Sequence, residues 1–156
     1  MELTEAIFTR QSVRDYTDQP VSRDELATVI HAGQAGAAGR GNYEVYHFTV
    51  ISNSRVTAKL ENTYHAPAVI VISVQSDQLR ASKYLSAGTM VENMALAAEN
   101  IGLGACMNMA ALSSLPQGGV LPEKQTPLIC LTLGHIKRPL QRRSIPQDRV
   151  PTDYLD

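Results

Sequence analysis

Ser82-Lys83-Tyr84-Leu85-Ser86-Ala87-Gly88-Thr89-Met90-Val91-Glu92-Asn93-Met94-Ala95-Leu96-Ala97-Ala98-Glu99-Asn100-Ile101 is the stretch on which the fold turns. It reads as the longest helix of the chain and is apolar nearly all round. Leu85, Ala87, Met90, Val91, Met94, Ala95, Leu96, Ala97, Ala98 and Ile101 leave only a narrow polar stripe, which carries Glu92 and Glu99. A helix this apolar has to be buried on most of its sides. A chain of 156 residues offers few elements to cover it. The pattern therefore points to a second subunit over part of the helix, against the simpler reading of a core helix in a monomer.

On the C-terminal side, Gly102-Leu103-Gly104 reads as the cap that ends this helix and opens a strand over residues 105–110. The last clear strand covers residues 127–133. On the N-terminal side, Ala68-Val69-Ile70-Val71-Ile72-Ser73-Val74 is a run suited to a strand covered on both faces. Residues 45–52 alternate as a further strand, and residues 58–65 suit a short helix or turn that ends before Pro67. A helix start is written into Val21-Ser22-Arg23-Asp24-Glu25-Leu26, where Ser22 can cap, Glu25 can reach back and Val21 can staple against Leu26. A shorter helix over residues 2–9 would turn Leu3, Ala6 and Ile7 to one side. The glycine-rich loop at residues 36–42 leaves a helix and enters a strand. That is the reverse of a nucleotide-binding loop.

Composition is that of an ordinary globular domain, and one domain over residues 1–156 is the expected organisation. Hydrophobic residues make up 44% of the chain and charged ones 19%, which excludes a disordered chain. The net charge of -1 argues against a nucleic-acid partner. No long apolar run suggests a membrane span or a secretory leader. Cys106 and Cys130 lie in apolar runs without metal-like spacing and suit buried thiols in a reducing compartment, most simply the cytoplasm.

Arg10-Gln11-Ser12-Val13-Arg14 is the first candidate for chemistry. In an extended backbone the two guanidinium groups and the hydroxyl fall on one side, and arginine forks suit phosphate oxygens. The plain alternative is a solvated basic turn. No other stretch offers catalytic side chains of its own: the four histidines have no paired spacing for a metal, and no nucleophile motif is present. Such a chain suits an enzyme whose bound cofactor carries the reaction.

Several stretches in order resemble the flavin mononucleotide (FMN)-dependent nitroreductase family. They are AIFTRQSVRDYTDQPVSRDEL near the start, Asn42-Tyr43-Glu44-Val45-Tyr46-His47-Phe48, HAPAVIVISV, SAGTMVENMALAAENIGLGAC and LTLGHIKRP. Where the family has Asn-x-Gln-Pro-Trp, this chain has Glu44 for the Gln and no Trp, and it is short between Ala110 and Pro127. The resemblance implies an α+β fold with a central, mostly antiparallel four-stranded sheet, helices on both faces, and a C-terminal arm crossing a homodimer. It implies FMN held through its phosphate and ribityl chain by Arg10, Gln11, Ser12 and Arg14, with Arg142 and Arg143 of the arm on the same phosphate. Asn42 would stand beside the flavin of the other subunit, Asn62 would be in reach of its pyrimidine edge, and the backbone amides of Met109 and Ala110 would face N5 and O4. The implied activity is reduction of small electron-poor acceptors, nitroaromatics or quinones, by NADH or NADPH in ping-pong fashion. The alternative of the same fold is an FMN-binding protein for storage, sensing or other flavin chemistry.

Overall fold

Seven consecutive small or apolar residues have no polar face to offer water, and β2 (Ala68–Val74) is accordingly buried at every position. The computed structural model, which describes residues 1–116 and 118–155, places this strand inside a four-stranded sheet of order β1-β2-β4-β3. β1 is Tyr46–Ile51, β3 is Leu103–Asn108 and β4 is Thr126–His135. Every pairing in the sheet is antiparallel, with Val71 opposite Cys130 and Ala105 opposite Leu133.

Side chains alternate across a strand, so β2 builds two cores. Ala68, Ile70, Ile72 and Val74 meet Val29 of α2 (Arg23–Gln34) and Met90, Val91 and Met94 of α4 (Ala81–Asn100). Val69 and Val71 face the other way, onto Ile51, Leu60, Cys130 and Ala111. That second face is covered by α3 (Ser54–Thr57) and a 3₁₀ turn at Ala110–Ser114. The architecture is the expected α+β sheet flanked on both sides.

The helix starts follow their local chemistry. The Ser22 hydroxyl accepts from the Glu25 backbone N–H at 3.3 Å, and the Glu25 carboxylate accepts from the Ser22 N–H at 2.7 Å. Asn53 caps α3 by accepting from the Arg55 N–H at 2.9 Å. That helix thus begins earlier than the 58–65 segment, which is turn. α2 and the turn that follows it pack closely on α4 through glycine. A Cβ placed on Gly36 would stand 2.6 Å from the Met90 Cα. Gly102, at φ +81, takes the left-handed position after α4, as a helix-ending glycine does. Gly104 has a different role, inside β3, where Val13 and Ile136 press against it.

Within one chain, α4 is buried along a single stripe of Ser86, Ala87, Met90, Val91, Met94, Ala95, Ala98 and Glu99. Leu85, on the opposite side, is 71% exposed. α1 (Leu3–Thr9) rests on α4 and buries its small residues Ala6 and Thr9, not the expected Leu3 and Ile7, and Leu3 is 68% exposed. Beyond β4, residues 137–155 form no helix or strand. No helix among the described residues is long and apolar enough to cross a membrane.

Candidate functional site

An edge strand has one row of free backbone groups, and on β3 the segment after α1 takes some of them. Ser12 bridges Ala105 in parallel, and the Val13 N–H donates to the Ala105 carbonyl at 2.9 Å. The close approach needs Gly104, because a Cβ there would lie 2.7 Å from Val13 Cγ1. Tyr16 fastens the segment: its buried hydroxyl lies 2.6 Å from the Val13 carbonyl and 2.8 Å from the Thr132 hydroxyl. Burial pushes that phenol well above its ordinary pKa, so it stays protonated. Tyr16 also bridges Ile136, and the Thr17 N–H donates to the His135 carbonyl at 2.9 Å. These contacts set the first residues of the arm beside the basic segment.

The result is an open recess of about 350 Å³. Gln11, Ser12, Arg14, Lys137 and Arg138 line it with the single carboxylate of Asp15. Lys137 pairs with Asp15, while the exposed Arg14 guanidinium lies 5.7 Å from the centre of the Tyr64 ring. Two cations, Arg14 and Arg138, are left without a carboxylate partner among the described residues. A recess of this sign and donor type has the chemistry to suit an anion with several oxygens.

Tyr64 belongs to a strained loop. Asn62, Tyr64 and His65 have φ values of +58, +57 and +56, a region that residues with a Cβ rarely occupy. Asn108, at the end of β3 and nearly buried, braces this loop: its amide N–H donates to the Asn62 carbonyl, and its amide oxygen accepts from the Ala111 N–H at 3.2 Å. One side chain therefore fixes the loop and the 3₁₀ turn together. Between them stand Met109, which is 57% exposed, and Ala110, whose φ is not positive.

The expected site residues fall into separate groups. Gln11, Ser12 and Arg14 share the recess, and Asn62, Met109 and Ala110 meet at Asn108. Arg10 lies elsewhere, its Nε 3.1 Å from the Glu92 carboxylate. It also faces Glu99, whose carboxyl burial pushes up while Arg10 opposes the shift. Arg142 pairs with Glu5 and stacks 4.6 Å from the centre of the Phe8 ring. Arg143 donates to the carbonyls of Ile7 and Phe8 at 3.0 and 3.2 Å. Both therefore pin the arm to α1, and Lys137 and Arg138 are the arm cations at the recess. Asn42 lines a different cavity, its side-chain amide beside the Glu44 carboxylate. Sequence reading passed over Lys137, Arg138, Tyr64 and Asn108. The signal available for Asn108 was a lone amide in an apolar strand, which must find partners if buried.

A family model described as "Putative TM nitroreductase" matches residues 2–153. A curated protein of Archaeoglobus fulgidus, named "Putative NADH dehydrogenase/NAD(P)H nitroreductase", is 29% identical over 118 residues, which are 66% of this chain and 64% of that protein. The matched stretch thus spans less than two thirds of that relative's own length. Among solved structures, a nitroreductase with bound FMN from Bacteroides fragilis superposes with a TM-score of 0.74 at 24% identity, covering 99% of this chain and 100% of that one. A nitroreductase with bound FMN from Desulfitobacterium hafniense superposes with a TM-score of 0.80 at 19% identity, over 99% and 98% of the two chains.

Proposed function

The chain belongs to the nitroreductase family, and from that premise we propose that it is an FMN-dependent oxidoreductase that uses NADH or NADPH to reduce small electron-poor acceptors such as nitroaromatics or quinones. The observation that carries this reading is the recess at the edge of β3. There a hydroxyl, an amide and three cations converge beside one carboxylate.

The recess fits the phosphate end of FMN by its chemistry. A phosphate dianion needs fixed donors, and Arg14 and Arg138 have no competing carboxylate among the described residues. Ser12 adds a hydroxyl held in register by its bridge to Ala105. Arg14 and Ser12 hold the phosphate, and Gln11, Lys137 and Arg138 flank it. Met109 and Ala110 offer backbone N–H groups to the ring, and the negative φ of Ala110 permits this without glycine. When bound, FMN supplies hydride acceptance at its N5 and onward electron transfer. The protein's part is to fix the ring and leave one face open, because donor and acceptor must each come within contact distance. Sharing that face in turn gives ping-pong kinetics.

The same reading makes the protein a homodimer. Leu85 and Leu3 are exposed on neighbouring helices, and the arm ends in exposed Val150, Tyr154 and Leu155. Such surfaces suit a second copy, whose Asn42 would complete the site and whose arm would cross over. Arg10, Arg142 and Arg143 would then meet the phosphate only by exchanging their present carboxylate or carbonyl partners. The two buried, unpaired thiols suit the cytoplasm, and residues 1–156 act as one domain.

The test is a visible spectrum of protein reconstituted with FMN, followed by anaerobic mixing with each nicotinamide in a stopped-flow instrument. The flavin should bleach with NADH or NADPH, and a quinone should restore its colour in a separate step. A flavin that stays oxidised with both, yet is reduced by dithionite, would favour storage or sensing and overturn the reductase reading.

A further inference from the structure

Left-handed backbone suits glycine and is tolerated by asparagine, but a residue as bulky as tyrosine takes it only where its surroundings impose it. Tyr64 and His65, at φ +57 and +56, are two such residues, close behind Asn62 at +58. The strained loop is held from both ends. Before Tyr64, the Asn108 amide donates to the Asn62 carbonyl, and Thr63, only 2% exposed, donates its hydroxyl to the Leu60 carbonyl at 3.2 Å. After it, the Ala66 N–H donates to the Thr63 carbonyl at 3.0 Å, and Ala66 packs in one buried cluster with Val13 and Tyr16. Val13 directly precedes Arg14, and Tyr16 fastens the same segment to the sheet. The loop and the segment of Arg14 are therefore locked to one another.

What this frame delivers is an aromatic ring beside a cation. Tyr64 is 39% exposed, so filling the core does not account for it, and its ring centre lies 5.7 Å from the Arg14 guanidinium carbon. Arg14 forms no ion pair among the described residues, which leaves Tyr64 as the neighbour that orders it. A long side chain gives up rotamer freedom when it grips an anion, and one already set on an aromatic face gives up less. A ring also leaves the positive charge uncompensated, whereas a carboxylate in its place would compete with the anion.

We propose that Tyr64 is a positioning residue for the phosphate of FMN, acting through Arg14: the strained loop holds its ring so that the guanidinium stands ordered at the recess with its charge free. The inference rests on the FMN reading above and adds to it a residue that need not touch the cofactor.

Fluorescence titrations of the full chain with FMN and with riboflavin, which lacks the phosphate, test it. Tyr64→Leu should weaken FMN roughly two- to fivefold, the worth of an exposed cation–π contact, and leave riboflavin unchanged. Tyr64→Phe keeps the ring and should bind both as the wild type does. In an Arg14→Gln background, Tyr64→Leu should cost no further FMN affinity, because nothing is left for it to position. Tyr64→Gly separates this role from stability: glycine takes the left-handed backbone freely, so the variant should melt above Tyr64→Leu while binding FMN as weakly. Equal losses for FMN and riboflavin, full FMN affinity in Tyr64→Leu or Tyr64→Gly, or additive losses in the Arg14→Gln background overturn the inference. If riboflavin binds the wild type too weakly to measure, the Arg14→Gln cycle on FMN alone decides. Failure of the underlying reading shows separately: an Arg14→Gln single variant with undiminished FMN affinity means that Arg14 does not meet the phosphate, and the role of Tyr64 falls with it.

Discussion

Asn108 illustrates how much one buried amide can control. Its donor holds the left-handed loop through Asn62 and its acceptor holds the 3₁₀ turn through Ala111. Asn108→Asp keeps the acceptor but sets a carboxylate against the Asn62 carbonyl. It should cost roughly 1–3 kcal/mol in chemical denaturation and weaken FMN binding; unchanged flavin affinity would separate the brace from the site. Glu99 gives a pH signature with a definite sign. Burial raises its folded pKa above the ordinary 4.5, the Arg10 charge opposing. A raised carboxylate pKa means stability that is full below the unfolded value and is lost as pH rises through the folded one. Glu99→Gln should therefore match the wild type near pH 4 and melt at a higher temperature than it near pH 7. Cys130 adds a reactivity check, since burial pushes its thiol up to about 12 and its sulfur donates to the Asn108 carbonyl at 3.0 Å. A thiol reagent at pH 8 should leave it unmodified until the protein unfolds.

At the scale of elements, the segment that carries Ser12 and Arg14 is fastened to the sheet through Tyr16. Tyr16→Phe removes a hydroxyl that meets both the Val13 carbonyl and Thr132. The substitution should destabilise the fold by about 1–2 kcal/mol and loosen Ser12 and Arg14, so that FMN affinity falls with it, as paired denaturation and flavin titrations would show. The elements themselves were largely legible in the sequence. An unbroken apolar run can only be a doubly covered strand or a buried helix, which identified β2, and Ser22 with Glu25 spelled out a capping box before any contact was known. The segment carrying Ser12 and Arg14 was legible for the same reason, since alternation is a local property. What escaped was set by tertiary contacts. The arm has no period to read, so its sequence cannot say which of Lys137, Arg138, Arg142 or Arg143 meets the recess. The Tyr16–Ile136 bridge decides it. The roles of Gly104 and Asn108 likewise depend on partners distant in the chain.

For the whole molecule, the decisive question is what covers the outer side of α4. Met94 is one of the apolar residues that made the helix look too apolar for one chain to cover, yet it is fully buried inside one chain, against Gly33 of α2. A charge at Met94 would unfold the protein and say nothing about assembly. Leu85 is the informative position, because it is exposed in the single chain on the side of α4 opposite the buried stripe. If a second copy covers this face, the wild type should sediment as a dimer at low micromolar concentration. Leu85→Glu should then shift it toward monomer while leaving the far-ultraviolet dichroism unchanged, since that side chain is largely exposed in the single chain. Flavin should be lost in parallel with dissociation, because the proposed site takes Asn42 from the partner. A wild-type monomer that holds FMN as tightly as any dimer would overturn both the assembly and the shared site. A dimer indifferent to Leu85→Glu would move the interface away from the outer face of α4, toward the exposed arm residues Tyr154 and Leu155.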